Sequence, residues 1–329
     1  MQHYDLPLDE LRRYRPDLPT PPDLADYWRT TLEGAGPLDA RFTPYDSPLR
    51  TVDVLDVSFG GFGGQRVAGW LLLPRGRGGP LPCVVTFVGY GGGRGLPHEW
   101  LDWTALGYAH VVMDTRGQGS THHAGSTPDL DPSGAGPHAP GFLTLGLPHP
   151  ERLYYRRLYA DAVRAVDAAQ AHPDVDRDRI VVAGSSQGGA MALAAATLRS
   201  WLLDEPVAAV LADVPFLCDL RRAAQIAADG PYLELVRWCS THRDRAEEAF
   251  AALAYVDIAV LAPHATSPAL FSVALRDGVC PPSTVFAAAN RYGGPTDITV
   301  WEWDEHEGGE AHQRLEQARW LAARVPPGL

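Results

Sequence analysis

The sequence predicts an α/β protein built on a mostly parallel, doubly wound sheet. Three observations carry this reading. Short, almost wholly apolar runs recur along the chain, stretches of helical periodicity lie between them, and two alternating segments precede them at residues 51–73. Parallel strands covered on both faces read as continuous apolar runs and need helical crossovers. Strict alternation marks strands with one solvated face.

Residues 1–45 read as a helical N-terminal extension in two pieces, 8–14 and 22–32, divided by the Pro-rich stretch 16–22. Segments 51–59 and 65–73 end in Gly-rich turns and are expected to be antiparallel strands at a sheet edge. The apolar runs follow at 83–88, 109–114, 179–184, 208–213, 269–274 and 297–303. Helices are expected at 154–171, 188–202, 221–228, 234–255, 282–292 and 309–323, so that 216–266 forms a helical insertion. The Pro/Gly-rich stretch 120–150 is long for a loop in a compact domain, and such loops usually serve an active site or an interface. No repeat or linker interrupts the chain, so residues 1–329 are expected to form one domain.

Composition removes several chemistries. The chain has 329 residues, a net charge of −12 and 28 basic side chains, every one of them arginine. Without lysine there is no Schiff base, no P-loop and no Ser–Lys dyad. The acidic balance argues against nucleic acid as a partner. Asn290 is the sole asparagine, and this skewed usage reads as the imprint of a GC-rich genome, with heat adaptation as a second reading that fits the same composition. No basic-then-apolar leader and no apolar run of membrane-spanning length is visible, and Cys83, Cys218, Cys239 and Cys280 lie far apart with no metal-binding spacing. These features lead us to expect reduced thiols, a cytoplasmic location and no membrane partner.

In parallel α/β sheets the chemistry sits after the strands. The run 179–184 leads into Gly184-Ser185-Ser186-Gln187-Gly188 and then an Ala-rich helix. This is G-x-S-x-G between strand and helix, the nucleophile elbow. Ser186 occupies its centre, and Ser185 is expected to pack beneath. His306, in the loop after the last strand, is the expected base. Asp277, after the preceding strand, is the expected acid; Asp304 and Glu305 are nearer in sequence, but such neighbours usually face solvent. The order Ser186, Asp277, His306 is that of α/β-hydrolases. A metal alternative fails on spacing, because position 310 is Glu310 where HExxH needs histidine. His122 and His123 read as solvated surface. The oxyanion is expected to be met by the backbone N–H groups of Gln187 and of Tyr90, the latter in the loop Gly89-Tyr90-Gly91-Gly92-Gly93. Asp114-Thr115-Arg116-Gly117-Gln118-Gly119 reads as a structural turn.

These residues resemble a known family. Asp5-Leu6-Pro7-Leu8, Gly64-Gln65-Arg66, Gly89-Tyr90, the Asp114–Gly119 turn, Pro140-Gly141-Phe142 and Tyr154-Tyr155-Arg156-Arg157 are similar to the acetyl xylan esterase/cephalosporin-C deacetylase family, carbohydrate esterase family seven. So are Ser186-Gln187-Gly188-Gly189, Asp213-Val214-Pro215-Phe216, Cys280-Pro281-Pro282-Ser283 and His306-Glu307-Gly308-Gly309. The resemblance implies an α/β-hydrolase fold. It implies a cofactor-free and metal-free serine esterase acting on small acetylated sugars, xylo-oligosaccharides and cephalosporin C. It implies the triad Ser186, Asp277 and His306, with Tyr90 and Gln187 at the oxyanion and Tyr90 at the substrate. It also implies a homohexamer built as a trimer of dimers. Two rivals share parts of this pattern: a serine peptidase of the oligopeptidase type, and a non-catalytic binding protein on the same fold.

Overall fold

The computed structural model describes residues 5–129 and 139–328. Its strands are β1 (Arg41–Pro44), β2 (Val52–Gly60), β3 (Arg66–Pro74), β4 (Leu81–Phe87), β5 (Ala109–Met113), β6 (Val175–Ser185), β7 (Ala209–Asp213), β8 (Ala269–Ala274) and β9 (Thr296–Trp301). They form one sheet in the order β1-β2-β3-β5-β4-β6-β7-β8-β9. The pairs from β1 to β5 are antiparallel, and those from β5 through β4 to β9 are parallel. The mostly parallel sheet is thus the one expected from the apolar runs. Strands β5 and β8 are buried along their whole length. Strand β2, near the edge, alternates.

The helices are α1 (Leu8–Leu11), α2 (Leu24–Glu33), α3 (Asp102–Ala105), α4 (Tyr154–Gln170), α5 (Gln187–Leu198), α6 (Leu220–Ile226), α7 (Tyr232–Thr241), α8 (Ala246–Leu253), α9 (Ile258–Leu261), α10 (Pro282–Arg291) and α11 (Glu310–Ala322). Every residue of α5 is buried. Its run of alanines and glycines lets it sit close against β6 and α4 without steric cost. Helix α4 buries a row of tyrosines, Tyr154, Tyr155 and Tyr159. Their hydroxyls reach acceptors inside the protein, which offsets the cost of burying them.

The structure departs from the sequence reading at several elements. Strand β1 lies within the stretch expected to be helical; its residues are mostly exposed, and only pairing with β2 makes them a strand. The helix expected over 234–255 is two, α7 and α8. At His242 the backbone leaves the helical region, with φ −109° and ψ 62°, and a short 3-10 turn follows over Arg243–Arg245. Helix α5 stops at Leu198, passes into one π turn over Arg199–Leu203 and ends at Asp204 with φ 55°. The turn begins at Arg199, which is fully buried and reaches both Asp167 and Glu205. The insertion after β7 carries α6 to α9. The middle of the 120–150 loop, residues 130–138, lies outside the described residues. No helix among the described residues is long and apolar enough to cross a membrane, and all four cysteines are free thiols.

Two buried polar clusters brace β5, one after its carboxyl end and one near its start. Arg116 and Asp161 are buried and meet in a two-point pair of 2.5 and 2.7 Å. Arg116 also reaches Gln65 and Asp129, so each guanidinium nitrogen is satisfied. His110 of β5 bonds the Trp100 carbonyl through Nδ1 at 3.0 Å and the Thr86 hydroxyl through Nε2 at 2.8 Å. Burial pushes His110 down from 6.5 to about 4. The folded state therefore keeps this ring neutral where the unfolded chain charges it. The unfolded state binds more protons between about pH 6.5 and about pH 4, so this part of the stability is lost as pH falls through that window. Denaturant unfolding of the wild type and His110→Gln across pH 7 to 4 checks this. The gap between their stabilities should narrow toward pH 4; a constant gap would contradict the assignment.

Candidate active site

Strand β6 ends at Ser185, α5 begins at Gln187, and Ser186 alone makes the turn, with φ 56° and ψ −118°. That conformation is costly for a residue with a side chain and persists only when its surroundings impose it. Here they do. The Ser186 N–H donates to the Asp213 carbonyl of β7 at 2.9 Å, and the Ser186 carbonyl accepts from Ala190 and Phe216. The flanking glycines are dictated by space. A Cβ on Gly188 would lie 2.1 Å from the Phe87 carbonyl oxygen, and one on Gly184 would lie 2.3 Å from Gly188 backbone. Ser185 is exposed at the strand end and does not pack beneath Ser186.

His306 and Asp277 meet Ser186 from the next loops. His306 Nε2 is 3.0 Å from Ser186 Oγ, and Nδ1 is 2.8 Å from Asp277 Oδ2. Asp277 is fully buried, and its Oδ1 accepts from the Val279 and Cys280 N–H groups at 2.8 and 2.9 Å. The acid is thus held from both sides, one oxygen by backbone and one by the imidazole. The loops carrying His306 and Asp277 are tied together beyond the strands by Leu275 N–H to Trp301 O and Arg276 N–H to Asp304 O. After His306, Gly309 has φ 87°, and a Cβ there would lie 2.2 Å from the Trp301 ring. Helix α11 is then pinned to β7, as Gln313 and Gln317 each donate to Asp213. Asp304 does not contact His306; its carboxylate caps Gly309 N–H at 3.1 Å, and Glu305 is exposed.

Cys280 completes a cluster with Asp277 and His306 whose ligand atoms lie within 4.8 Å of one another. Both imidazole nitrogens there are already engaged by Ser186 and Asp277. Burial, and then the Asp277 charge, push the Cys280 thiol up, so it stays protonated and poorly suited to bind a metal or compete as a nucleophile.

The Tyr90 and Gln187 N–H groups find no acceptor among the described residues. Gln187 is the first residue of α5, where N–H groups lack intrahelical partners and the helix end is electropositive. Its side chain is buried and locked: Oε1 accepts from Gln118 and Tyr155, and Nε2 donates to the Val88 carbonyl. Gln118 Oε1 also takes the Gly91 N–H at 2.6 Å. One side chain therefore joins the Tyr90 loop to the start of α5. The Asp114–Gly119 turn supplies that bridge. Asp114 accepts from the Arg94, Ser126 and Thr127 N–H groups.

The Tyr90 hydroxyl is committed elsewhere: it donates to the Glu234 carboxylate at 2.8 Å and accepts from Phe142 N–H at 2.8 Å. Only the Tyr90 backbone is thus free to meet a ligand. Sequence reasoning missed Gln118 as a support and Glu234 altogether. Gln118 sits in a turn already singled out, whereas Glu234 lies on an insertion helix with no local signal. His122 is exposed as expected, but His123 is half-buried against Trp100 and Glu99.

The elbow's geometry yields a direct test. Gly188→Ala must displace the Phe87 carbonyl, and overpacking of this kind costs about 1–3 kcal/mol. The urea midpoint should fall accordingly, and turnover of p-nitrophenyl acetate should fall further than the population of folded protein accounts for.

Residues 1–324 match the family model described as acetyl xylan esterase (AXE1). The acetyl xylan esterase from Paenibacillus sp. R4 superposes with a TM-score of 0.87 at 35% identity, over 97% of this chain and 100% of that one. Acetyl xylan esterase 1 from Thermoanaerobacterium sp. JW/SL YS485 superposes with a TM-score of 0.83 at 29% identity, over 95% and 98% of the two chains. The acetyl esterase Axe7A of Xylanibacter ruminicola is 30% identical over 186 residues, 56% of this chain, and the match spans only 40% of that enzyme's length. With its α/β-hydrolase sheet and a family match over nearly its whole length, this chain belongs to the acetyl xylan esterase family.

Proposed function

We propose that the chain is a serine esterase that releases acetate from acetylated xylo-oligosaccharides, from other small acetylated sugars and from cephalosporin C. One observation carries the reading: the unbroken hydrogen-bond chain from buried Asp277 through His306 to the strained Ser186. Family membership and the activities for which its relatives are named support the acyl group and the sugar.

The reaction follows as two acyl transfers. His306 Nε2 takes the Ser186 proton as Oγ attacks the acetyl carbonyl. The tetrahedral oxyanion is met by the Tyr90 and Gln187 N–H groups. His306 then gives its proton to the departing sugar oxygen, and the C–O bond to the sugar breaks. Water repeats the sequence on the acyl-enzyme, giving acetate and free Ser186. Asp277 holds the imidazole in the required tautomer and offsets the charge it gains.

Acetate release from acetylated xylobiose, glucose pentaacetate, cephalosporin C and polymeric xylan tests the proposal, with turnover of the small substrates as the expected outcome. Ser186→Ala should lower kcat by roughly 10⁴-fold or more. Asp277→Asn should cost on the order of 10³–10⁴-fold while Asp304→Asn stays near the wild type. Equal rates for wild type and Ser186→Ala, or a loss confined to Asp304→Asn, would refute the mechanism.

A further inference from the structure

We propose that the bond between the Tyr90 hydroxyl and the Glu234 carboxylate sets the position of the Tyr90 N–H at the oxyanion, which makes Glu234 a positioning residue for acyl transfer. This inference rests on the esterase reading above. The loop from Gly89 to Gly95 is glycine except at Tyr90 and Arg94, so its backbone has little intrinsic preference. An oxyanion donor must nevertheless be placed to a fraction of an ångström, and a misplacement of about 1 Å can cost about 10²-fold. Something outside the loop has to fix it.

Asp114 holds the far end through the Arg94 N–H, and two side chains hold the Tyr90 end. Gln118 takes the Gly91 N–H on the buried side. Glu234, on α7, takes the Tyr90 hydroxyl with both carboxylate oxygens at 2.8 Å, and its Oε2 also accepts from Leu143 N–H at 3.3 Å. The phenol oxygen accepts in turn from Phe142 and Gly141 N–H. The Tyr90 ring is wedged edge-on between Phe142 and Phe216, with centroids 5.5 and 6.0 Å away. Phe216 N–H donates to the Ser186 carbonyl, so this wedge abuts the nucleophile's own backbone. One point of contact thus joins the oxyanion loop, the segment after residue 138 and the helical insertion.

The energetics argue that the pair is kept for a reason other than stability. Glu234 is half-buried and makes no ion-pair contact among the described residues; the positive charge of Arg237, on the same helix, acts on it only from beyond that distance. Burial pushes its carboxyl up. A carboxylate held by a neutral phenol and a backbone N–H is an expensive way to pack a helix, where an apolar residue would serve.

The test compares Tyr90→Phe, Glu234→Leu and Glu234→Gln with the wild type. The readouts are kcat and KM for p-nitrophenyl acetate, inhibition by a methyl trifluoromethyl ketone, and thermal unfolding. The ketone adds to Ser186 and carries its oxyanion in the same place as the transition state. Tyr90→Phe keeps the ring and the backbone donor, and it decides the matter even where Glu234→Leu fails to fold. The expected result is a 10- to 100-fold lower kcat for Tyr90→Phe and Glu234→Leu, KM within about twofold, and ketone affinity reduced by the same factor as kcat. Glu234→Gln, which still accepts from the phenol, should recover most of kcat. An unchanged kcat in Tyr90→Phe would overturn the proposal, as would a rise in KM alone or a Glu234→Gln as slow as Glu234→Leu. A wild type that releases no acetate would instead bring down the esterase reading, and this inference with it.

Discussion

Three backbones converge at the nucleophile. The end of β6, the start of α5 and the end of β4 approach so closely that no Cβ fits at Gly184 or Gly188. This steric constraint organises the rest. Ser186 must bridge a gap too short for an ordinary turn, so it takes a left-handed φ and projects away from the sheet. Helix α5 must leave the turn at once, which puts its free N–H groups beside the serine. An Ala-rich, wholly buried helix is what can follow such a turn without widening it.

The electrostatics are graded from the inside outward. Asp277 is fully buried, His306 is about a third exposed, and Ser186 is half-buried. A buried carboxylate normally costs stability, but here two backbone N–H groups and an imidazole meet it. A positive charge on the His306 ring would therefore meet a partner that is already oriented. The reactive oxygen remains reachable, because only the outer end of the relay faces the solvent.

Behind the Tyr90 loop lies a second scaffold built of buried polar side chains. Arg116 and Asp161 fix the turn after β5 to α4, the turn places Gln118, and Gln118 joins Gly91 to Gln187. The arginine cannot be exchanged for lysine without loss, since its planar fork meets Asp161 at two points while still reaching Gln65 and Asp129. Absence of lysine costs this chain nothing at the triad, and at Arg116 a guanidinium is the group the geometry requires.

The sequence alone determined the parallel core, the elbow and the order of Ser186, Asp277 and His306. Those features are local: apolar runs have a period, G-x-S-x-G is contiguous, and each triad residue follows its own strand. Tertiary structure alone decided β1, the break between α7 and α8, the exposure of Ser185 and the contacts of Gln118 and Glu234. Strand β1 is exposed and lacks a pattern, so its pairing with β2 creates it. Glu234 lies 144 residues from Tyr90 in sequence and meets it only because the insertion folds back over the carboxyl end of the sheet. Local patterns encode which backbone forms. Contacts between distant segments carry no signature in either segment, and they exist only once the chain has closed.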